Sequence, residues 1–166
     1  MSALSDNEGR TTGADRVYYD VAMQRLAQQL GQIDAVDRKL ATTFGFSNAI
    51  FAVFASIVAI RGADLEPMTY AFLGLGSVAY LIATCSTIAG YALGVWSLRP
   101  DMPTLQSHCE HLDDTAMRFW VGDECCLSIG VNEPKMNPKV RAQKVATRAL
   151  LLEALLLAAA ALTSVS

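Results

Sequence analysis

The stretch Leu40–Ile60, LATTFGFSNAIFAVFASIVAI, holds no charged residue and is apolar on every face, between Asp37-Arg38-Lys39 on one side and Arg61 on the other. A hydrocarbon core about 30 Å thick is crossed by about 20 residues of helix, each rising about 1.5 Å. A helix on the surface of a soluble domain is usually shorter and keeps one polar face. Leu40–Ile60 therefore reads as a transmembrane helix, and the rest of the chain is read outward from it.

Two more apolar blocks follow, Met68–Leu98 and Ala149–Val165. Apolar residues make up 52% of the chain, and their crowding into three blocks suits a membrane protein better than one mixed core. The loop RGADLEP, with Gly62 and Pro67 as breakers, joins only antiparallel neighbours, so residues 40–98 are expected to form a helical hairpin. Tyr91, Trp96 and Arg99 are placed as interfacial anchors, and Pro100 and Pro103 stop the second helix. Within it Ser86, Gly90 and Gly94 are spaced four apart, as are Ala79, Ala83 and Thr87. Small residues at that spacing let helix backbones approach closely, either inside one chain or between copies.

Ahead of the first span, residues 1–13 are rich in Ser, Thr, Asp, Asn and Gly and are expected to be disordered, with no apolar signal-peptide core. Residues 14–39 are expected to form a cytoplasmic juxtamembrane helix. Tyr19, Met23, Leu26, Leu30, Ile33, Asp37 and Leu40 alternate by four and three along one seam, and Gly31 marks a point for a bend. Behind the hairpin, residues 99–148 carry most of the charge. A helix Thr104–Val121 ending at Gly122, an extended CCLSIGV, a loop NEPKMNP and a helix start at Asn137-Pro138 are the expected pieces. That last helix runs through Lys139, Arg141, Lys144 and Arg148 into residues 149–166, a third and shorter membrane helix.

Orientation follows the basic residues. The arm holds Arg10, Arg16, Arg25, Arg38 and Lys39, the hairpin loop only Arg61, and the tail none, so arm and segment are expected in the cytoplasm. Fold class is then all-α: an integral membrane protein with a cytoplasmic helix, a hairpin, a small cytoplasmic segment and a C-terminal membrane helix. The four cysteines do not form a secreted scaffold; Cys125-Cys126 reads as buried thiols in a reducing segment.

Few residues point to chemistry. His108 and His111 are three apart, so on one helix they could share a metal, but no HExxH or paired CxxC accompanies them. The structural alternative is a solvated helix face. No phosphate loop or nucleophile elbow is present. Neither a catalytic group, a metal nor a cofactor is expected. Glu153 is the acid inside an apolar block, and such a group marks function unless headgroup water, Arg148 or Arg99 satisfies it. Ser47 and Asn48 can hydrogen-bond across helices. Asp37 on an apolar seam needs a partner, and the 99–148 segment offers Arg99, Arg118 and several lysines. It is expected either to lock arm to segment or to line a charged pocket with Lys39, Arg99, Arg118 and Trp120, suited to an anionic ligand with a stacked base.

The sequence Asp37-x-Lys39-x-Ala41 entering an apolar span, a hairpin closing in Trp96-x-x-Arg99-Pro100, and a basic helix returning at 139–165 resemble the small transmembrane effectors of bacterial Pycsar antiphage systems. Two-span effectors of other nucleotide-signalling defence systems are similar. The resemblance implies a homo-oligomeric effector in the bacterial inner membrane. It would sense a cyclic pyrimidine nucleotide, cCMP or cUMP, and impair the bilayer, with no nucleic-acid partner. A membrane scaffold without a nucleotide ligand is the alternative, and a membrane hydrolase built on His108 and His111 a distant third.

Overall fold

Four helices account for the fold: α1 (Ser5–Arg61), α2 (Pro67–Ala92), α3 (Met102–Cys109) and α4 (Asp114–Thr163). The computed structural model describes the backbone of residues 5–61, 66–94 and 96–163 and the side chains of residues 13–60, 66–94 and 96–163. Among the described residues there is no strand. Helices α1, α2 and α4 are each long and apolar enough to cross a membrane.

Several boundaries differ from those expected. α1 begins at Ser5 rather than near Ala14 and continues through Gly31 without a break. Gly31 is exposed and costs about 1 kcal/mol of propensity, which the seam on either side outweighs. α2 ends at Ala92, so Gly94, Trp96 and Arg99 lie beyond the helix. Gly62 of the expected turn lies outside the described residues. In the 99–148 segment a turn after Cys109 separates α3 from α4, where one helix over Thr104–Val121 was expected. Asp113 sets the new start: its carboxylate accepts the Ala116 N–H at 2.8 Å, as a helix-capping side chain does. From there α4 runs unbroken through Gly122, CCLSIGV, Pro134 and Pro138. Neither the extended piece, nor the loop, nor the helix start at Asn137 is present.

A proline inside a helix removes one bond and crowds the carbonyl four residues back, for about 3 kcal/mol. α4 tolerates two because a buried seam spans them. Val121, Cys125, Ser128 and Asn132 are buried before them, and Lys139, Ala146, Ala149, Glu153, Leu157 and Ala160 at or after them. The spacings remain sums of three and four, the rows that keep one helix face inward.

The chain divides into two compact units, Met1–Ile33 with Val95–Met136, and Asp34–Gly94 with Asn137–Ser166. The first holds an apolar cluster. Ala22 and Leu26 of α1 meet Val121 and Cys125 of α4, with Tyr19, Leu30, Leu105, Met117, Trp120 and Ile129 around them. Asn132 clamps the extended segment after α2, accepting the Ser97 N–H at 2.8 Å and donating to its carbonyl at 2.9 Å. Ser128 accepts the Arg99 N–H at 3.0 Å. Gly122 leaves room for the Tyr18 ring, because a Cβ there would lie 2.6 Å from Tyr18 Cε1.

The second unit is inverted. Its interior is lined by Thr43, Ser47, Thr69, Gly76, Ala79, Ala83, Thr87, Gly90, Ala146 and Ala149, while Phe46, Ile60, Leu155 and Leu162 are more than half exposed. Small residues let three helices approach closely where apolar surroundings remove the hydrophobic drive. Gly90 is pressed against Leu40, and Gly76 against Leu157, with hypothetical Cβ distances of 2.8 and 2.7 Å.

Candidate functional site

Polar side chains run through the interior of this second unit in cross-helix pairs. Lys139 of α4, only 2% exposed, places its ammonium 2.7 Å from Asp37 Oδ1 and 2.9 Å from Oδ2 on α1. The Tyr91 hydroxyl of α2 donates to the Asp37 backbone carbonyl at 3.2 Å, so three helices meet around one residue. Further along, the Ser47 hydroxyl donates to Glu153 Oε2, and both residues are fully buried. Glu153 Oε1 has no partner among the described residues. Beside this pair, the Tyr80 hydroxyl donates to Asn48 Oδ1 at 2.8 Å while its ring stacks on Phe51, centroids 4.3 Å apart. Thr69 and Thr163 close the series with their hydroxyls 3.0 Å apart.

The heptad logic of the sequence explains why these groups meet. Asp37, Leu40, Thr43 and Ser47 follow one another by three or four on α1, and Ala146, Ala149 and Glu153 do so on α4. The Ser47 and Asn48 hydrogen bonds are the cross-helix contacts expected of these residue types. Glu153 pairs with neither Arg148 nor Arg99. Lys139 was expected on a headgroup-facing basic helix, yet it is buried. A signal for it existed, since Lys139 lies seven residues from both Asn132 and Ala146 on the α4 seam.

The five residues read as a charged pocket are divided between the two units. Asp37 takes Lys139 as its partner from the 99–148 segment, and Lys39 is exposed; both belong to the second unit. Arg99, Arg118 and Trp120 belong to the first. There Arg118 is 2.6 Å from Asp114 and 3.7 Å from the buried Asp15. Arg99 stands 3.9 Å from Glu124 with its side chain 57% exposed. Trp120 packs on the His108 ring, centroids 4.3 Å apart, so its face is already covered in part. Neither unit by itself gathers all five residues.

The helix-packing trio is divided as well. Gly90 is buried inside the chain against Leu40 and Ala142, Ser86 is half-buried, and Gly94 lies past the end of α2. Gly76, Ala79, Ala83, Thr87 and Gly90, with Thr69, form the buried stripe of α2 within the chain. His108 and His111 do not share a helix face, because α3 ends between them and His111 is exposed in the turn. Cys125 is buried as expected, but Cys126 is exposed, 3.7 Å from the Tyr18 hydroxyl that donates to Asp123 at 2.6 Å. Comparison of the chain with protein-family models, curated proteins and solved structures finds no match.

Proposed function

We propose that this protein is a non-enzymatic membrane effector whose three-helix unit, embedded in the bilayer, impairs its integrity when a signal reaches the polar unit. One observation carries the reading. The second unit turns large apolar side chains outward and buries Lys139, Ser47 and Glu153, with Asp37, Asn48 and Tyr80 half-buried beside their partners. An inert anchor needs no ionisable interior, whereas buried acids and bases within a membrane mark pathways and switches. The uneven distribution of Lys and Arg supports a cytoplasmic side for the polar unit, with the hairpin loop outside.

The resemblance of Asp37-x-Lys39-x-Ala41 and its span to Pycsar effectors supplies the signal, a cyclic pyrimidine nucleotide. A ligand shifts such a unit only through different affinities for its two packings. Self-association then uses a face other than Gly90, which is occupied by Leu40. The test is the full chain in phospholipid vesicles filled with a self-quenching dye. Release on addition of cCMP or cUMP, but not of a cyclic purine nucleotide, is the expected result. Silence to both pyrimidines, with the protein folded and inserted, would leave the scaffold reading in its place.

A further inference from the structure

Glu153 and Ser47 sit at the centre of the three-helix unit, and neither the ion pair at Asp37 nor the nucleotide reading gives them a task. Glu153 has no exposed surface. One carboxyl oxygen, Oε2, accepts the Ser47 hydroxyl, and the other, Oε1, is buried with no donor among the described residues. The buried residues nearest in sequence on α4, Ala149 and Leu157, those of the Ser47 turns on α1, Thr43 and Ser47, and the buried stripe of α2, with Ala79, Ala83 and Thr87, carry no charge. The Lys139 ammonium is engaged by Asp37, and Arg148 is exposed. Thr84 Oγ1, one residue from Ala83, is a second buried oxygen without a partner.

A carboxylate shut away from water with a bare oxygen is among the costliest groups a protein can hold. A cation on that oxygen removes the cost, and the site is too poor in oxygen ligands for calcium, which takes six to eight, or for an octahedral magnesium shell. We propose that Glu153 is a proton-binding site within the three-helix unit, the proton being taken up on Oε1 while Ser47 holds Oε2. The step is a simple transfer: a proton from the aqueous phase bonds to Oε1, the negative charge is neutralised, and release returns the proton to water. The Ser47 hydrogen bond persists in both states and keeps the carboxyl aimed inward. The proposal needs the packing of this unit, not a nucleotide, so it stands or falls separately from the effector reading.

Infrared difference spectroscopy on the full chain in phospholipid vesicles tests it, as pH is stepped from acid to alkaline. The expected signal is a protonated-carboxyl carbonyl stretch that disappears as pH rises, is absent in Glu153→Gln, and moves to higher frequency in Ser47→Ala. Glu153→Gln is nearly isosteric and keeps an oxygen for Ser47, and circular dichroism checks that both variants are helical. Because Ser47→Ala retains the carboxyl, the band can be followed even if the glutamine variant fails to fold. A spectrum with no such band at any pH, or one whose band neither variant alters, overturns the proposal.

Discussion

Lys139 is 2% exposed and holds both oxygens of Asp37, at 2.7 and 2.9 Å, across 102 residues of sequence. The two ends are unequal, because the Asp37 side chain is 32% exposed. Replacing Asp37 with Ala takes the carboxylate from a buried ammonium and should cost about 3–5 kcal/mol, whereas Lys139→Met leaves a carboxylate with Oδ1 buried but its side chain 32% exposed and should cost less. The double variant should fall well short of the sum. Thermal unfolding in detergent measures all three, and equal losses in the two single variants would show that the pair is no buried tie.

Gly90 and Gly94 should respond differently to the same substitution. A Cβ at Gly90 meets the Leu40 side chain, Cδ1 at 2.8 Å, while a Cβ at Gly94, past the helix end, meets the backbone oxygen of Tyr91 at 2.9 Å. Gly90→Leu should destabilise the three-helix unit by about 1–3 kcal/mol through overpacking. Gly94→Leu should instead force the backbone at the end of α2 to shift, because the Tyr91 carbonyl cannot swing aside as a side chain can. Faster hydrogen exchange at residues 91–94 in that variant, against a lowered melting temperature with unchanged local exchange in Gly90→Leu, separates the two. Loss of toxicity in Gly90→Leu alone would therefore report on folding before it reported on self-association.

Asn132 makes two hydrogen bonds to the backbone of Ser97 from a fully buried position. Asn132→Ala leaves the Ser97 N–H and carbonyl without those partners, for about 1–3 kcal/mol. Asn132→Asp keeps the acceptor but loses the donor. Hydrogen exchange at residues 96–99 should rise in both variants and more in the alanine one. Unchanged exchange would mean that α4 does not hold this segment.

Thiol reactivity tells lipid-facing from water-facing surface. Cys85, Cys109 and Cys126 are exposed on the chain, and Cys125 is buried. In open membrane fragments a charged, impermeant maleimide should modify Cys109 and Cys126 but leave Cys85, which sits on the apolar helix α2 and should react only with an apolar reagent. Cys125 should react after unfolding. Rapid modification of Cys85 by the charged reagent would remove α2 from the bilayer.

Much of the helical content was readable because helix periodicity is local. The seam from Tyr19 to Leu40 returned Leu26, Ile33 and Leu40 as buried positions, although Met23 remained exposed apart from a 3.4 Å contact between its sulfur and the Cys125 thiol. The reading failed where local signals opposed a long seam. Gly122 suggested a stop, NEPKMNP a loop and Asn137-Pro138 a start, yet α4 passes through all three, since packing along ten buried positions outweighs what the prolines remove.

The sequence by itself determined that three segments are helices apolar enough for a bilayer, because a mainly apolar run of that length must satisfy its backbone internally. Only the tertiary structure decided which polar residue faces which. Ser47 lies 106 residues from Glu153, and Asp37 lies 102 from Lys139. Such pairings depend on the rotation and register of packed helices. Periodicity fixes a face for each helix, but the face it meets is chosen by the close approach that Gly76, Ala79, Ala83 and Gly90 allow.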